Sequence, residues 1–432
     1  MVQPLKIGLL GLGTVGTSTA GILRSPQGRH PSLTDIEIAK VGVKTLDKRR
    51  AIEFPTGVLT TDLEGIVSDP NIDVIVELIG GLEPARSLIL KAIANQKHVV
   101  TANKAVISRY GEEIYRAAEQ ANVYVLMEAA VGGGIPIIRP LQQTLSVNRI
   151  QTVLGIINGT TNYILTKMAA EGSDFSDVLT EAQELGYAEA DPSADVDGYD
   201  AADKIAILAT LAFGQQVNLE DVSCEGIRQV SAVDIQYAEQ LGFEIKLLAI
   251  AQQDETGLQA RVHPTLVPKD HPLASIDGVN NAILVEGDPI GQVMFYGPGA
   301  GGGATASAVV SDLMNLATMV HTSNLVNPLF KIPQHPSSRL VPTQELVTRF
   351  YARLICVDRP GVIGNLGTCF GKHDVSLESI VQIDFKNGLA EIVVVTHNVK
   401  EQKFREALAE IPQLEAIEQI EIPSVLRVLR EK

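Results

Sequence analysis

Two lysines and one run of acids carry most of the chemistry that this sequence offers. Lys204 follows a dense acidic stretch of Glu189, Asp191, Asp195, Asp197, Asp200 and Asp203. Gly186, Tyr187, Pro192 and Gly198 lie in the same stretch, so a loop there can fold carboxylates over a small ligand. From Asp200 the chain turns helical, which makes Asp200 and Lys204 i, i+4 neighbours on one face. A surface salt bridge is the plain alternative for that pair. The run Asp195-Val196-Asp197-Gly198-Tyr199-Asp200 hints at calcium, but the twelfth position from Asp195 is Ala206, where a calcium loop needs a bidentate Glu. Lys104 follows Thr101-Ala102-Asn103, just past an apolar run ending at Val100. That is the carboxyl end of a strand, where ligands of parallel sheets collect.

A third motif binds rather than reacts. Gly11-Leu12-Gly13-Thr14-Val15-Gly16 is G-x-G-x-x-G between a predicted strand and a predicted helix. Its glycines permit the tight turn, the approach of a pyrophosphate to the backbone, and close packing of helix on strand. The helix start then offers N–H groups and a positive dipole end to the phosphates. After the second strand come Lys44 and Thr45, then Lys48, Arg49 and Arg50. Cations there attract a 2′-phosphate, which favours NADP; a solvated basic surface is the alternative, and nearby Asp47 keeps NAD open. A second glycine run, from Gly297 to Gly303 and including Gly299 and Gly301, also opens a helix. It brings backbone amides to the cofactor or merely lets helices pack closely.

The elements that must position these groups alternate. Strand patterns at residues 6–10, 36–43, 73–78, 98–101 and 123–127 are separated by helical patterns at 14–23, 83–95 and 111–120. Such alternation predicts an α/β fold with a parallel sheet and right-handed crossovers. Gly80-Gly81 closes the third strand, and Gly80 joins the cofactor set. Beyond residue 150 the pattern changes. A strand at 152–157 precedes helices at 163–171, 174–186 and 200–214, and strands at 259–267 and 282–286 suggest an open sheet.

The chain resembles homoserine dehydrogenase with a C-terminal ACT domain. The matching segments are Gly11 to Gly16, Thr101 to Lys104, EAAVGGGIP from Glu128, GIINGTTNYIL from Gly155, the acidic run from Gly186 to Lys204, and Gly299 to Gly303. The resemblance implies a Rossmann-type dinucleotide-binding domain over 1–130 and an α+β catalytic and dimerisation domain with an open sheet over 131–320. It further implies that residues 297–320 pack back on the first domain, that 321–345 form a linker, and that 346–432 form a βαββαβ ACT domain. It implies reversible reduction of L-aspartate 4-semialdehyde to L-homoserine, in threonine, methionine and isoleucine biosynthesis. Lys204 matches the proton donor and Lys104 a lysine between nicotinamide and substrate. Glu189 matches the carboxylate on the substrate amino group, and Asp195 and Asp200 match acids that position substrate and lysine. Glu128, Val131, Gly133 and Ile135 match a structural sodium site built largely of carbonyls.

Residues 351–384 carry Asp358-Arg359-Pro360-Gly361-Val362 between a strand and an apolar helix, which is the ACT signature. The implied effector is L-threonine; an oligomerisation module without a ligand is the alternative. The chain is expected to form a homodimer or homotetramer.

Composition narrows the field. The 432 residues carry a net charge of -16, which argues against a nucleic-acid partner. No apolar run reaches the roughly 18 residues of a membrane helix, and Met1 to Leu10 runs into glycines rather than a cleavage site. Three cysteines, Cys224, Cys356 and Cys369, fit a reducing compartment and a cytoplasmic enzyme. Only Cys224 lies near the catalytic region, with no glycine turn beside it, which disfavours a thiol-dependent semialdehyde dehydrogenase. Two rivals remain: another amino-acid aldehyde or keto-acid oxidoreductase, and a non-catalytic sensor of dinucleotide and amino acid. A sensor has no use for a proton donor, so the acids ending at Lys204 favour an enzyme.

Overall fold

Apolar runs too short for helices set the first sheet. Val-Ile-Val-Glu at residues 74–77 is wholly buried, as a strand covered on both faces must be. The computed structural model describes residues 4–322, 327–330, 338–386, 388–414 and 419–429. In chain order the elements begin with β1 (Leu5–Leu10), α1 (Thr14–Arg24), β2 (Ile36–Gly42), β3 (Leu59–Thr60), α2 (Leu63–Ser68), β4 (Val74–Glu77) and α3 (Ala85–Ala94). Next come β5 (His98–Thr101), α4 (Lys104–Ala121), β6 (Val125–Leu126), α5 (Ile138–Gln142), β7 (Arg149–Ile156), α6 (Gly159–Glu171) and α7 (Phe175–Glu184). The middle holds α8 (Ser193–Val196), α9 (Tyr199–Phe213), β8 (Ser223–Cys224), α10 (Ala232–Gln240), β9 (Phe243–Asp254) and β10 (Gly257–Pro268). Then follow β11 (Asn280–Asp288), β12 (Gly291–Pro298) and α11 (Gly302–Thr322). The last part holds β13 (Val347–Val357), α12 (Val362–Lys372), β14 (Leu377–Lys386), β15 (Leu389–Thr396), β16 (Val399–Lys400), α13 (Glu401–Glu410) and β17 (Glu421–Val428).

The chain divides into two compact units. One holds residues 1–157, 203–222 and 280–337; the other holds 158–202, 223–279 and 338–432. In the first, six parallel strands run in the order β3-β2-β1-β4-β5-β6. This is the doubly wound arrangement, whose direction reverses between β1 and β4 and leaves a ligand crevice at their carboxyl ends. β7, β11 and β12 pair antiparallel in the same unit. α11 packs on α1 and feeds Val309, Leu313 and Leu316 into the core beneath β1. In the second unit β9 and β10 form a long antiparallel hairpin. β8 and β17 both run parallel to β10. β17 continues into the antiparallel set β17-β13-β15-β14, which with α12 and α13 makes the βαββαβ module. In its largely aliphatic core, Phe350 and Phe370 both stack on Phe404.

Two local expectations change, and a third lies partly beyond the described residues. The helix expected over 111–120 begins at Lys104, because the Asn103 side chain accepts the Val106 N–H and caps it. The acidic stretch, expected as loop, contains the short helix α8. Part of the expected linker, residues 323–326 and 331–337, lies outside the described residues.

Candidate active site

The phosphate loop is defined by where side chains do not fit. Gly11 has φ +101°, and a Cβ there would lie 2.7 Å from the Leu78 carbonyl oxygen. A Cβ on Gly16 would lie 2.2 Å from the Gly11 carbonyl oxygen, so only glycine lets α1 sit this close to β1. Gly13 differs, because nothing lies within 4 Å of its Cβ position. α1 begins at Thr14 with no side-chain cap on its first amides. Open space at Gly13 over uncapped amides is what a pyrophosphate requires, so these residues fit a dinucleotide. Leu12 and Val15 are half-buried and pack against the core beneath. In the second glycine run, a Cβ on Gly302 would meet Thr14 and Ser18 of α1 at 2.8 Å. One on Gly299 would collide with Asn281. Close packing therefore explains these two, whereas Gly301 (φ +111°) faces open space. Lys44 is exposed just past β2.

The carboxyl ends of β4 and β5 are tied by side chains that sequence reasoning missed. Glu77 is fully buried. Its carboxylate accepts the N–H groups of Ile79 (2.8 Å) and Gly80 (3.2 Å) and the Thr101 hydroxyl (2.6 Å). Asn103 donates through Nδ2 to the Gly81 carbonyl at 2.7 Å. The turn bearing Gly80 and the helix start bearing Lys104 are thus one hydrogen-bonded assembly. The signal was legible: a lone Glu ending an apolar strand has to be satisfied there.

Lys104 is the half-buried first residue of α4. One turn on, Ser108 (2.7 Å) and Arg109 (2.8 Å) both donate to the buried Asp203 of α9. The next residue is Lys204, whose Nζ donates to the Ile157 carbonyl at 2.7 Å in a buried position.

The acids meet at Asn158, which caps α6 by accepting the Thr161 N–H at 2.8 Å. Its Nδ2 donates to Asp195 (2.6 Å) and to Asp200 (2.8 Å). One buried amide therefore holds two carboxylates side by side. Asn158 lay inside the quoted N-G-T-T segment, yet nothing in its type distinguished this role from ordinary capping. Glu189 is exposed, and Gln183 donates to its backbone carbonyl at 2.9 Å.

Near β6 the expected cation ligands surround a buried turn. The Glu128 carboxylate accepts the N–H groups of Ile137, Ile138 and Arg139 at 2.7–2.9 Å, while burial pushes its carboxyl above the usual range. Asp312 pairs with Arg139 and accepts the Glu128 N–H. Two buried carboxylates thus face one guanidinium. Gly132 and Gly133 have positive φ and curl the turn through Val131 and Ile135; a Cβ on Gly133 would lie 2.4 Å from the Gly299 carbonyl oxygen. Two buried carboxylates whose ionisation burial disfavours are a setting in which a further positive charge would be welcome.

The thiols offer little. Burial, reinforced by Glu225 and Asp197, pushes Cys224 up to about 11, far from a thiolate nucleophile at neutral pH. Cys356 and Cys369 are buried in the C-terminal core. Cys369, His373 and Glu410 cluster, but Lys372 also pairs with Glu410 at 2.7 Å, which disfavours a cation there. Among the described residues no helix is long and apolar enough to cross a membrane.

Known proteins align with all of these parts. The homoserine dehydrogenase family model matches residues 136–314, its NAD-binding domain 11–128, and the ACT domain 350–416. Homoserine dehydrogenase of Synechocystis is 65% identical over 98% of this chain and 99% of its own length. The crystal structure of homoserine dehydrogenase from Thiobacillus denitrificans, 42% identical, superposes with a TM-score of 0.91 over 99% of this chain and 98% of that one. A hyperthermophilic archaeal homoserine dehydrogenase in complex with NADPH, 27% identical, covers 75% of this chain and all of its own, with a TM-score of 0.61. Nucleotide loop, catalytic segment and C-terminal module thus recur together and in one order: the chain belongs to the homoserine dehydrogenase family, in the form that carries a C-terminal ACT domain.

Proposed function

We propose that the chain reduces L-aspartate 4-semialdehyde to L-homoserine with NADPH and runs the reverse oxidation with NADP⁺, NAD being a second possible cofactor. Bound NADPH supplies the hydride that goes to the aldehyde carbon. As that carbon–hydrogen bond forms, the carbonyl π electrons pass to oxygen, which needs a proton. Lys204 gives that proton from Nζ and, in reverse, takes it from the hydroxyl. Lys104 brings a second ammonium toward the reacting carbonyl, where positive charge favours the electron build-up on oxygen. Glu189 holds the substrate α-ammonium, while Asp195 and Asp200 orient substrate and lysine. Gly11, Leu12, Gly13, Thr14, Val15, Gly16, Gly80 and Gly301 line the cofactor path, Gly299 shapes it, and Lys44 meets the 2′-phosphate.

One observation carries this reading. Asn158 gathers Asp195 and Asp200 on one amide, and Asp200 stands one helical turn before Lys204 on α9. NADPH as the hydride source agrees with the archaeal relative's complex. Carbonyls of Val131, Gly133 and Ile135, with Glu128, would hold Na⁺ in a structural role. L-threonine acts on the ACT module as feedback effector of a cytoplasmic homodimer or homotetramer in threonine, methionine and isoleucine biosynthesis.

The test is NADPH and NADH consumption with aspartate semialdehyde, with and without threonine. Lys204→Met should lower kcat by about 10²- to 10⁴-fold while NADPH affinity stays at the wild-type value. A Lys204→Met enzyme with wild-type turnover would falsify the assignment of the proton donor.

A further inference from the structure

The C-terminal module reaches the catalytic acids through one buried arginine. Arg427 lies on β17, the strand paired parallel with β10 through Thr265↔Arg427 and Leu266↔Val428. β8 pairs with β10 further back, at Arg261↔Ser223 and Val262↔Cys224. Glu225, the residue after β8, donates its N–H to the Val262 carbonyl at 2.8 Å. Arg427 is 4% exposed and grips Glu225 with both terminal nitrogens, at 2.9 and 2.8 Å. It also donates to Glu401, the first residue of α13, at 3.0 and 2.7 Å. Two-point guanidinium–carboxylate bonding fixes orientation as well as distance.

Glu225 opens a short strap that passes beneath the acidic segment. Cys224 Sγ donates to the Asp197 carbonyl at 3.3 Å. Ile227 donates its N–H to the Val196 carbonyl at 2.8 Å. Arg228 pairs with the Asp197 carboxylate, with Nη2 at 3.1 Å. At Gly226 a Cβ would lie 2.1 Å from the Val196 carbonyl oxygen and 2.5 Å from Asp197 Cα, so strap and segment touch backbone to backbone. Val196 and Asp197 directly follow Asp195, whose carboxylate Asn158 holds beside Asp200.

We propose that Arg427 is a positioning residue for Asp195 and Asp200, acting through Glu225 and the strap of residues 224–228. The inference rests on the catalytic reading of those acids given above. Without Glu225, Arg427 keeps only Glu401; without Arg427, the half-exposed Glu225 carboxylate and the buried Glu401 lose the cation that holds them together. Either change releases the strap from β17 while leaving the nucleotide loop untouched. The C-terminal module is then a working part of the substrate site, and cutting it away removes more than an effector site.

A second buried arginine supplies the control. Arg353 on β13 donates to Asp234 of α10 (2.8 Å) and to Glu391 (2.7 Å), with no bond to the strap. Full-length wild type, Glu225→Gln, Arg427→Met, the double variant and Arg353→Met are compared. The KM values of homoserine and of NADP⁺ are measured separately, alongside thermal stability. Glu225→Gln and Arg427→Met should each raise the homoserine KM roughly tenfold, with the NADP⁺ KM within about twofold of wild type. The double variant should be no worse than the worse single one, as two ends of one connection require. Arg353→Met should lower thermal stability while leaving both KM values within about twofold of wild type. Equal effects on the homoserine KM from Glu225→Gln and Arg353→Met, or an unchanged KM in Glu225→Gln, overturn the proposal. Amide hydrogen exchange provides a readout independent of turnover. Ile227 and Gly198 should exchange faster in Glu225→Gln, with α1 unchanged; unaltered protection at Ile227 also overturns it. Should the wild-type chain turn over no homoserine, the catalytic reading fails instead, and exchange alone decides whether Arg427 places the segment.

Discussion

The nucleotide loop and the acidic segment are built on opposite principles. Around Gly11, Gly13 and Gly16 the working surface is backbone, and the site exists because side chains are missing. Around Asn158 the surface is side chain, with one amide joining the two carboxylates proposed above to orient substrate and lysine. A backbone site fails by collision, and the failure is graded by distance. A side-chain site fails by charge, and the failure spreads to every group sharing the hydrogen bonds.

Asn158→Asp is the harshest test of that contrast. It places a third carboxylate between Asp195 and Asp200, and three acids cannot all stay ionised at that spacing. Turnover per encounter (kcat/KM) with homoserine should fall roughly 100-fold, the scale of an angstrom-sized misplacement. One carboxyl pKa should rise, so the acid limb of the pH–rate profile should move to higher pH. NADP⁺ affinity should hold. A profile unmoved from wild type would show that Asn158 serves only as a helix cap.

The glycines give the next largest effect, and they separate folding from binding within one loop. Gly16→Ala forces its methyl group into the Gly11 carbonyl and should cost about 1–3 kcal/mol of stability, read from urea unfolding. Gly13→Ala enters open space, so the unfolding midpoint should stay put while the NADPH KM rises. Equal losses of stability in the two variants would show that the open space at Gly13 is not a ligand site.

These contrasts also explain what could be read in advance. The glycine fingerprint, the alternating strands and the D-R-P-G turn are local, because φ limits and periodicity act within a few residues. Gly11 and Gly16 need no distant partner to be recognised. Glu77, Asn158 and Arg427 acquire their roles only from residues far along the chain: Thr101, Asp195 with Asp200, and Glu225 with Glu401. No periodicity encodes such pairings. Asp195 and Asp200 could be singled out because a familiar motif quotes them, whereas the Asn158 amide that joins them could not.

Acid should weaken the nucleotide half by a route that the acidic segment lacks. Burial lowers His98 to about 4, and its Nδ1 accepts the Tyr124 N–H at 3.0 Å, which only the neutral ring can do. An unfolded histidine titrates near 6.5, so between pH 6.5 and 4 the unfolded chain binds the extra proton. Stability therefore falls as pH drops through that window, by about 2 kcal/mol between pH 7 and pH 5. Unfolding of wild type and His98→Gln at the two pH values checks this. The variant should be less stable at pH 7 and show a shallower fall. Parallel falls would place the sensitivity elsewhere.

The smallest effect lies where the nucleotide half departs from its own rule. Backbone binds a pyrophosphate but cannot tell a 2′-hydroxyl from a 2′-phosphate; that choice needs a side chain. Arg50 is turned inward, donating to the carbonyls of Leu46 (2.7 Å) and Lys48 (2.8 Å), where it braces the turn. Lys44, exposed and first past Val43, is left at the end of β2, where the ribose belongs. An exposed cation on a phosphate is worth about 1 kcal/mol, so Lys44→Ala should raise the NADPH KM roughly fivefold and leave the NADH KM unchanged. The penalty should shrink as ionic strength approaches about 1 M, where the screening length falls to about 3 Å. If both KM values rise together, Lys44 shapes the turn rather than choosing the cofactor, and the nucleotide half is a backbone site throughout.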